Sequence, residues 1–395
     1  MPMNSLPHLP VPGADAQRAS DALVSCLRDE IAAAGGWIGF DRFMALALYT
    51  PGLGYYSGGS RKFGKAGDFI TAPELTPVFA RTLGAQAWQI LTLSAPHVIE
   101  VGAGSGRLAA DLLLELERCG SLPDSYRILD LSGELRERQR TTLAERAPHL
   151  LSRVGWLDRL PERFDGLVLA NELLDAMPVH LVRWGDDADP EGIFEHGVAW
   201  KDGAFAWEDK PASGRVFERA QSIAAECPLP VGYVSEIALA AGDWTAAWGS
   251  ILGRGALLLI DYGFPRHEFY HPQRGTGTLM CHYRHHAHPE PFFLPGLQDI
   301  TAHVDFTAII EAGHGAGLEL LGFTTQAAFL LNNGLTDVLS RISAEDYERY
   351  LPHAQAAHKL VSPAEMGELF KVMALGKGIG EPLCGFAIGD RSASL

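Results

Sequence analysis

The chain has 395 residues, 47% of them hydrophobic, enough to bury a large core in one elaborated domain or two smaller ones. A formal charge of −16 excludes a broad nucleic-acid surface and suits a cationic or neutral substrate. Five cysteines without C-x-x-C spacing read as reduced thiols of a cytoplasmic protein, and no apolar run is long enough to span a bilayer. The first 13 residues are Pro-rich and lack Lys and Arg, so they read as a disordered arm rather than a signal or transit peptide. Ser20–Ala34 reads as a helix capped by Ser20, with a Leu23, Leu27, Ile31 stripe and a Gly35-Gly36 stop. A shorter helix is expected over Asp41–Leu48. A glycine-dense loop from Pro51 to Gly59 carries Tyr55 and Tyr56, and a Gly67-Asp68 turn follows before Pro73-Glu74. This stretch is either a lid over a ligand, with Gly67 and Asp68 on the cofactor and Tyr55 in the substrate pocket, or a surface loop that packs its aromatics.

The central stretch is Val98-Ile99-Glu100-Val101 followed by Gly102, Gly104 and Gly106. It reads as a buried parallel strand, a tight turn and a helix whose stripe is Leu108, Leu112, Leu116. The helix start favours an anionic group. The dinucleotide fingerprint requires glycine at position 107, where this chain has Arg107. With Glu100 two residues before the first glycine, the run instead resembles the first motif of class I S-adenosylmethionine (SAM) methyltransferases. A tight turn without a ligand is the alternative. Tyr126–Asp130 is the next strand, and Asp130 lies where an acid binds a ribose in nucleotide folds. Asp130 or Ser132 could also cap the helix that follows. Asp158, after a third strand over Leu151–Gly155, either contacts the adenine amino group, as acids there do in this fold class, or is a solvated loop residue.

Phe164–Ala170 reads as the fourth strand, with Asn171-Glu172-Leu173-Leu174-Asp175 at its carboxyl end, where open α/β sheets place their chemistry. Asn171 is grouped with the cofactor contacts. Glu172 and Asp175 are either ordinary helix-capping acids or a pair for gripping a cation. A guanidinium is a poor nucleophile, and carboxylates can hold its N–H fork and aim one nitrogen at a methyl donor. The run resembles the acidic loop of arginine methyltransferases, with Glu172 as main acid and Asp175 as helper. It departs from that pattern because Pro178–Arg183 supplies no second glutamate.

Residues 179–210 alternate like hairpins, a substrate-facing or oligomer surface. Helices are expected over Val216–Cys227 and Val234–Leu252, then a fifth strand over Ala256–Ile260. Asp261 and Tyr262 either line the substrate pocket or belong to a turn closed by Gly263 and Pro265. The histidines of Cys281–His288 lack a completing metal pattern, so no metal is expected, and Arg274, His282 and His285 suit an active-site loop. His303 either orients an acid and passes a proton or sits in a helix start capped by Thr301 or Asp305. Leu318–Phe329 is the expected sixth strand with its extension. Thr336–Ala356 and Pro363–Leu369 read as helices, and Phe370–Leu375 as a seventh, antiparallel edge strand.

Gly54-Tyr55-Tyr56, Gly67–Glu74, Glu100–Gly106, Ala170–Val179, Leu259–Gly263 and Asp299–Phe306 occur in the order in which they appear in the MidA family, which this chain resembles from about residue 50 onward. The resemblance implies an α/β class I SAM-dependent methyltransferase. It implies a seven-stranded Rossmann-like sheet, the last strand antiparallel, with an N-terminal helical cap (1–95), a core (96–395) and insertions at about 185–230 and 325–368. It gives His303 a counterpart in the Thr-His loop of arginine methyltransferases. It also implies a protein substrate, since the eukaryotic member is regarded as an arginine methyltransferase acting on a respiratory complex I subunit. A homodimer is the other expected partnership. The alternatives are a SAM-binding assembly factor with little catalysis and, disfavoured by Arg107, an NAD-dependent oxidoreductase.

Overall fold

The computed structural model describes residues 9–58 and 71–395. The chain forms two compact units that interleave in sequence. One lies within Met1–Phe69, Leu174–Ala241 and Arg266–Asp305, the other within Ile70–Leu173, Gly242–Pro265 and Phe306–Leu395.

The second unit is built on a sheet of β1 (His97–Val101), β2 (Ser125–Leu129), β3 (Val154–Leu157), β4 (Phe164–Asn171), β5 (Leu252–Phe264), β6 (Glu319–Thr325) and β7 (Phe370–Lys377). Their order across the sheet is 6-7-5-4-1-2-3. Strands 3-2-1-4-5 are parallel. Val98 and Leu258 are buried in the core, as expected where helices cover both faces of a parallel sheet. The strand order reverses between β1 and β4, which opens a crevice at their carboxyl ends. Residue Val101 pairs with Ala170 and with Leu129, so Gly102, Asp130 and Asn171 all leave the same edge of the sheet. Helices α1 (Ala72–Leu75), α2 (Pro77–Leu93), α3 (Arg107–Arg118) and α4 (Gly133–Arg146) belong to this unit.

Three expectations are corrected here. The seventh strand is antiparallel but does not lie at the edge: it pairs with β5 on one side and β6 on the other, leaving β6 outermost. Its run of apolar side chains, Val372, Met373, Ala374 and Leu375, is fully buried, which an interior strand requires. Residues 363–369, expected as a helix, form turns. Asp261 and Tyr262 lie inside β5 rather than in a turn after it.

The first unit contains an antiparallel sheet ordered Trp37–Ile38, Ile193–Lys201, His180–Trp184, Tyr233–Ile237, with Ala204–Pro211 paired to Ile193–Lys201. The expected hairpin turn at 201–203 is present, with Asp202 and Gly203 both at positive φ. Tyr233–Ile237 replaces the start of the expected helix, because its alternating side chains pair with His180–Trp184; the helix begins at Leu239. The first helix runs over Ala14–Ala33, so Ser20 is not its cap; its hydroxyl, buried mid-helix, donates to the Pro295 carbonyl. Phe40, Phe43, Phe205 and Phe292 are packed in this unit's core. No helix among the described residues is long and apolar enough to cross a membrane.

Candidate functional site

The loop after β1 owes its shape to glycine. Gly102, Gly104 and Gly106 have φ of 70°, 51° and 82°, a region that side chains disfavour. The Gly102 N–H donates to the Leu129 carbonyl at 3.0 Å, tying the loop to β2. A Cβ on Gly106 would lie 2.9 Å from Gln139 Cα, and one on Gly102 would lie 2.9 Å from a Leu173 methyl. Gly106 precedes α3 without a capping side chain, so the helix presents free N–H groups. Arg107 opens that helix, and its Nε is buried without a hydrogen-bond partner among the described residues.

Two acids flank the loop. Glu100 is 2% exposed, and its Oε2 accepts from the Tyr126 hydroxyl at 2.6 Å. Burial lifts its carboxyl to about 7; the Tyr126 hydrogen bond opposes the rise and the Asp130 charge adds to it. Asp130 follows β2. Its Oδ1 accepts from the Ser132 N–H at 2.9 Å and its Oδ2 from Gln139 Nε2 at 2.7 Å. The helix-capping alternative falls to Ser132, whose hydroxyl accepts from the Leu135 N–H. Gln139, which sequence reasoning missed, joins three parts. It donates to the Gly104 carbonyl at 3.1 Å and to Asp130, and accepts from Trp156 Nε1 at 2.9 Å. It stands between Leu135 and Leu143 on the buried stripe of α4, and a polar residue at such a position was the available signal. Leu131, directly after Asp130, is 80% exposed. Asp158 is 88% exposed in its side chain and ion-paired to Arg136 at 2.5 Å. Arg136 also donates to the Asp130 and Leu157 carbonyls, holding the tips of β2 and β3 together.

The exit of β4 is strained. Glu172 has φ of 52°, an uncommon conformation for a non-glycine residue. Its N–H donates to the Ile260 carbonyl at 2.8 Å, and the next N–H, of Leu173, donates to Asp261 Oδ2 at 3.1 Å. Asp261 is therefore a buried brace for this turn, and Tyr262 packs edge-on against Phe370 at 5.3 Å between ring centres. Glu172 Oε1 accepts from Asn171 Nδ2 at 3.1 Å and from the Ala72 N–H at 3.4 Å. Asn171 Oδ1 is buried with no hydrogen-bond partner among the described residues.

The remaining candidates belong to the first unit. Asp175 is buried, and its carbonyl accepts from the Ala302 N–H. The His303 N–H donates to Thr278 Oγ1 at 3.0 Å. Tyr55 is buried edge-on against Tyr56, whose hydroxyl donates to Asp299 at 2.9 and 3.0 Å. Burial, then the Asp299 charge, push the Tyr56 hydroxyl far above its ordinary range. Gly67 and Asp68 lie outside the described residues. In the histidine segment, Cys281 pairs with His288 and His282 with Ala287 in a hairpin. Among the described residues, a histidine meets two carboxylates elsewhere: His180 Nδ1 lies 2.8 Å from Glu195 and 3.5 Å from Asp41, an ion cluster.

Residues 81–324 match the family model Methyltransf_28, which describes S-adenosyl-L-methionine-dependent methyltransferases. The chain belongs to this family. A COG1565 superfamily member from Burkholderia thailandensis, solved with S-adenosyl-homocysteine (SAH) bound, is 55% identical, covers 98% of this chain and 100% of its own, and superposes with a TM-score of 0.94. The protein arginine methyltransferase NDUFAF7 homolog of Drosophila melanogaster is 28% identical over 94% of this chain and 88% of its own. Mouse NDUFAF7 is 28% identical over 84% and 79%. The expected fold, family and cofactor stand: this is a SAM-dependent methyltransferase. The geometry fits the cofactor on three counts. Positive-φ glycines form a cradle that side chains would fill. A buried carboxyl, Glu100, sits two residues before the loop with its pKa raised by burial. The Asp130 carboxylate at the tip of β2 is held in place by Gln139 and the Ser132 N–H.

Proposed function

We propose that this methyltransferase modifies arginine side chains of a protein substrate, with Glu172 holding the guanidinium. The observation that carries the reading is Glu172 itself, held at φ 52° at the exit of β4, at the same sheet edge as the glycine loop. A chain accepts such strain of roughly 1–3 kcal/mol where the surroundings fix a functional geometry. In this reading Glu100 faces the amino group of the cofactor, Asp130 its ribose hydroxyls and Arg107 its carboxylate, with Leu131 under the base. Bound SAM supplies a methyl group on a positively charged sulfur. Glu172 binds the planar N–H fork and turns one nitrogen toward that methyl. Asn171 Oδ1, buried with no hydrogen-bond partner among the described residues, offers a further acceptor for a cofactor N–H. The relatives' names, which specify protein arginine methylation, support the substrate class.

The substrate protein we propose to try first is a respiratory complex I subunit, following the MidA resemblance. A cytoplasmic location and a homodimer are also proposed, checked by fractionation and by sedimentation. The central test is labelled SAM added to cell extract, followed by amino-acid analysis of the labelled band. Methylarginine that disappears with Glu172→Gln supports the reading. Equal labelling by the variant, or label on another residue type, overturns it.

A further inference from the structure

The four-residue helix α1 touches both halves of the site within its own unit. From its third residue, Glu74, the carboxylate accepts from the Ser105 hydroxyl through Oε1 and from Arg107 Nη1 at 3.1 Å through Oε2. The Glu74 carbonyl accepts from the same guanidinium nitrogen at 3.1 Å. Ser105 lies within the glycine loop and Arg107 begins α3, so one half-buried acid braces the loop on both sides of Gly106. At the first residue of α1, the Ala72 N–H points at Glu172 Oε1. Thr76 then caps α2 through the Val78 N–H, and a buried Ala72 anchors the segment in the core. The spacing between the two contacts is thus fixed by a single helical turn.

We propose that Glu74 is a positioning residue that couples the cofactor loop to the acid at the exit of β4. It restrains a loop whose three glycines otherwise leave the backbone free, and the turn it anchors carries the N–H that locates Glu172. Occupation of the loop tightens α1, and α1 in turn steadies Glu172. The brace on the loop is independent of what the enzyme methylates; only the significance of steadying Glu172 rests on the arginine reading.

Two measurements need no substrate. Calorimetry with SAH on the full chain should show a dissociation constant about tenfold weaker for Glu74→Ala, with Glu74→Gln, which keeps an acceptor for Ser105, recovering part of the loss. Amide exchange should show SAH slowing residues 71–75 and 171–174 in the wild type, and in Glu74→Ala slowing the glycine loop while leaving 171–174 unchanged. If Glu74→Ala does not melt cooperatively, Glu74→Gln carries both measurements, with a two- to fivefold weakening expected. SAH affinity within twofold of wild type in a folded variant, or equal protection of 171–174 in both proteins, overturns the proposal. Neither result depends on the labelled product, so this proposal and the arginine reading fail separately.

Discussion

The tips of β1 and β2 and the tip of β4 solve different problems at one sheet edge. At the first, both acids are held by neighbouring side chains or backbone: Glu100 has Tyr126, Asp130 has Ser132 and Gln139, and Gln139 reaches the glycine loop. At the second, Glu172 sits in a disfavoured backbone region and Asn171 Oδ1 is left buried without a donor among the described residues. A cofactor is the same molecule in every turnover, so its cradle can be finished in advance. In the arginine reading the acceptor nitrogen must be gripped hardest as it reacts, which suits an acid held on a turn of disfavoured backbone.

The largest effect that would break this comparison is on turnover. Glu172→Gln should cut protein labelling about a hundredfold or more while SAH affinity stays within about twofold; parallel losses in both would merge the two regions into one. Next is Gly106→Ala, which adds a Cβ at a left-handed position against the Gln139 backbone. Its SAH affinity should fall roughly 10- to 100-fold by calorimetry, from about 1–2 kcal/mol of backbone strain plus the contact.

Acidity gives a third, smaller test. The Glu100 carboxyl is raised from 4.5 to about 7. A cationic amino group pairs with its ionised form, so SAH affinity should fall up to about tenfold per pH unit below 7, and Glu100→Gln should flatten the profile. Stability of the unliganded protein runs the other way. A carboxyl raised in the fold contributes fully below 4.5 and loses that contribution as pH rises through 7, so melting should drop between pH 5 and 8 more in wild type than in Glu100→Gln. The smallest effect concerns strain. Glu172→Gly should be more stable than Glu172→Gln by about 1 kcal/mol in denaturant unfolding, because glycine adopts φ 52° without penalty. Equal stabilities would mean that the turn stores nothing.

Much of the finished region was legible, because it is local. Gly102–Gly106 and Glu100 lie within seven consecutive residues, and Asp130 ends the very next strand. The braces were not legible. Glu74 acts on Ser105 across 31 positions and Asp261 on Leu173 across 88, distances over which no periodicity carries information. Glu172 is singled out in the sequence by its chemistry and its place after a strand, but its φ follows from the tertiary tie to Ile260. The Tyr233–Ile237 strand was hidden because Val234 and Ile237 also fit a helical stripe; the partner strand decided between the two readings.

The position of β7 sets the order in which this protein can be completed during synthesis. Residues 97–171 supply four adjacent parallel strands in one continuous stretch, which can assemble as soon as it leaves the ribosome. The strand Phe370–Lys377 emerges last of the seven, yet its place is between two that are already out. Until it arrives, β5 and β6 each keep a raw, hydrogen-bonding flank open to any passing β-prone segment, and nascent chains stalled within those last residues should be the ones that chaperones hold longest.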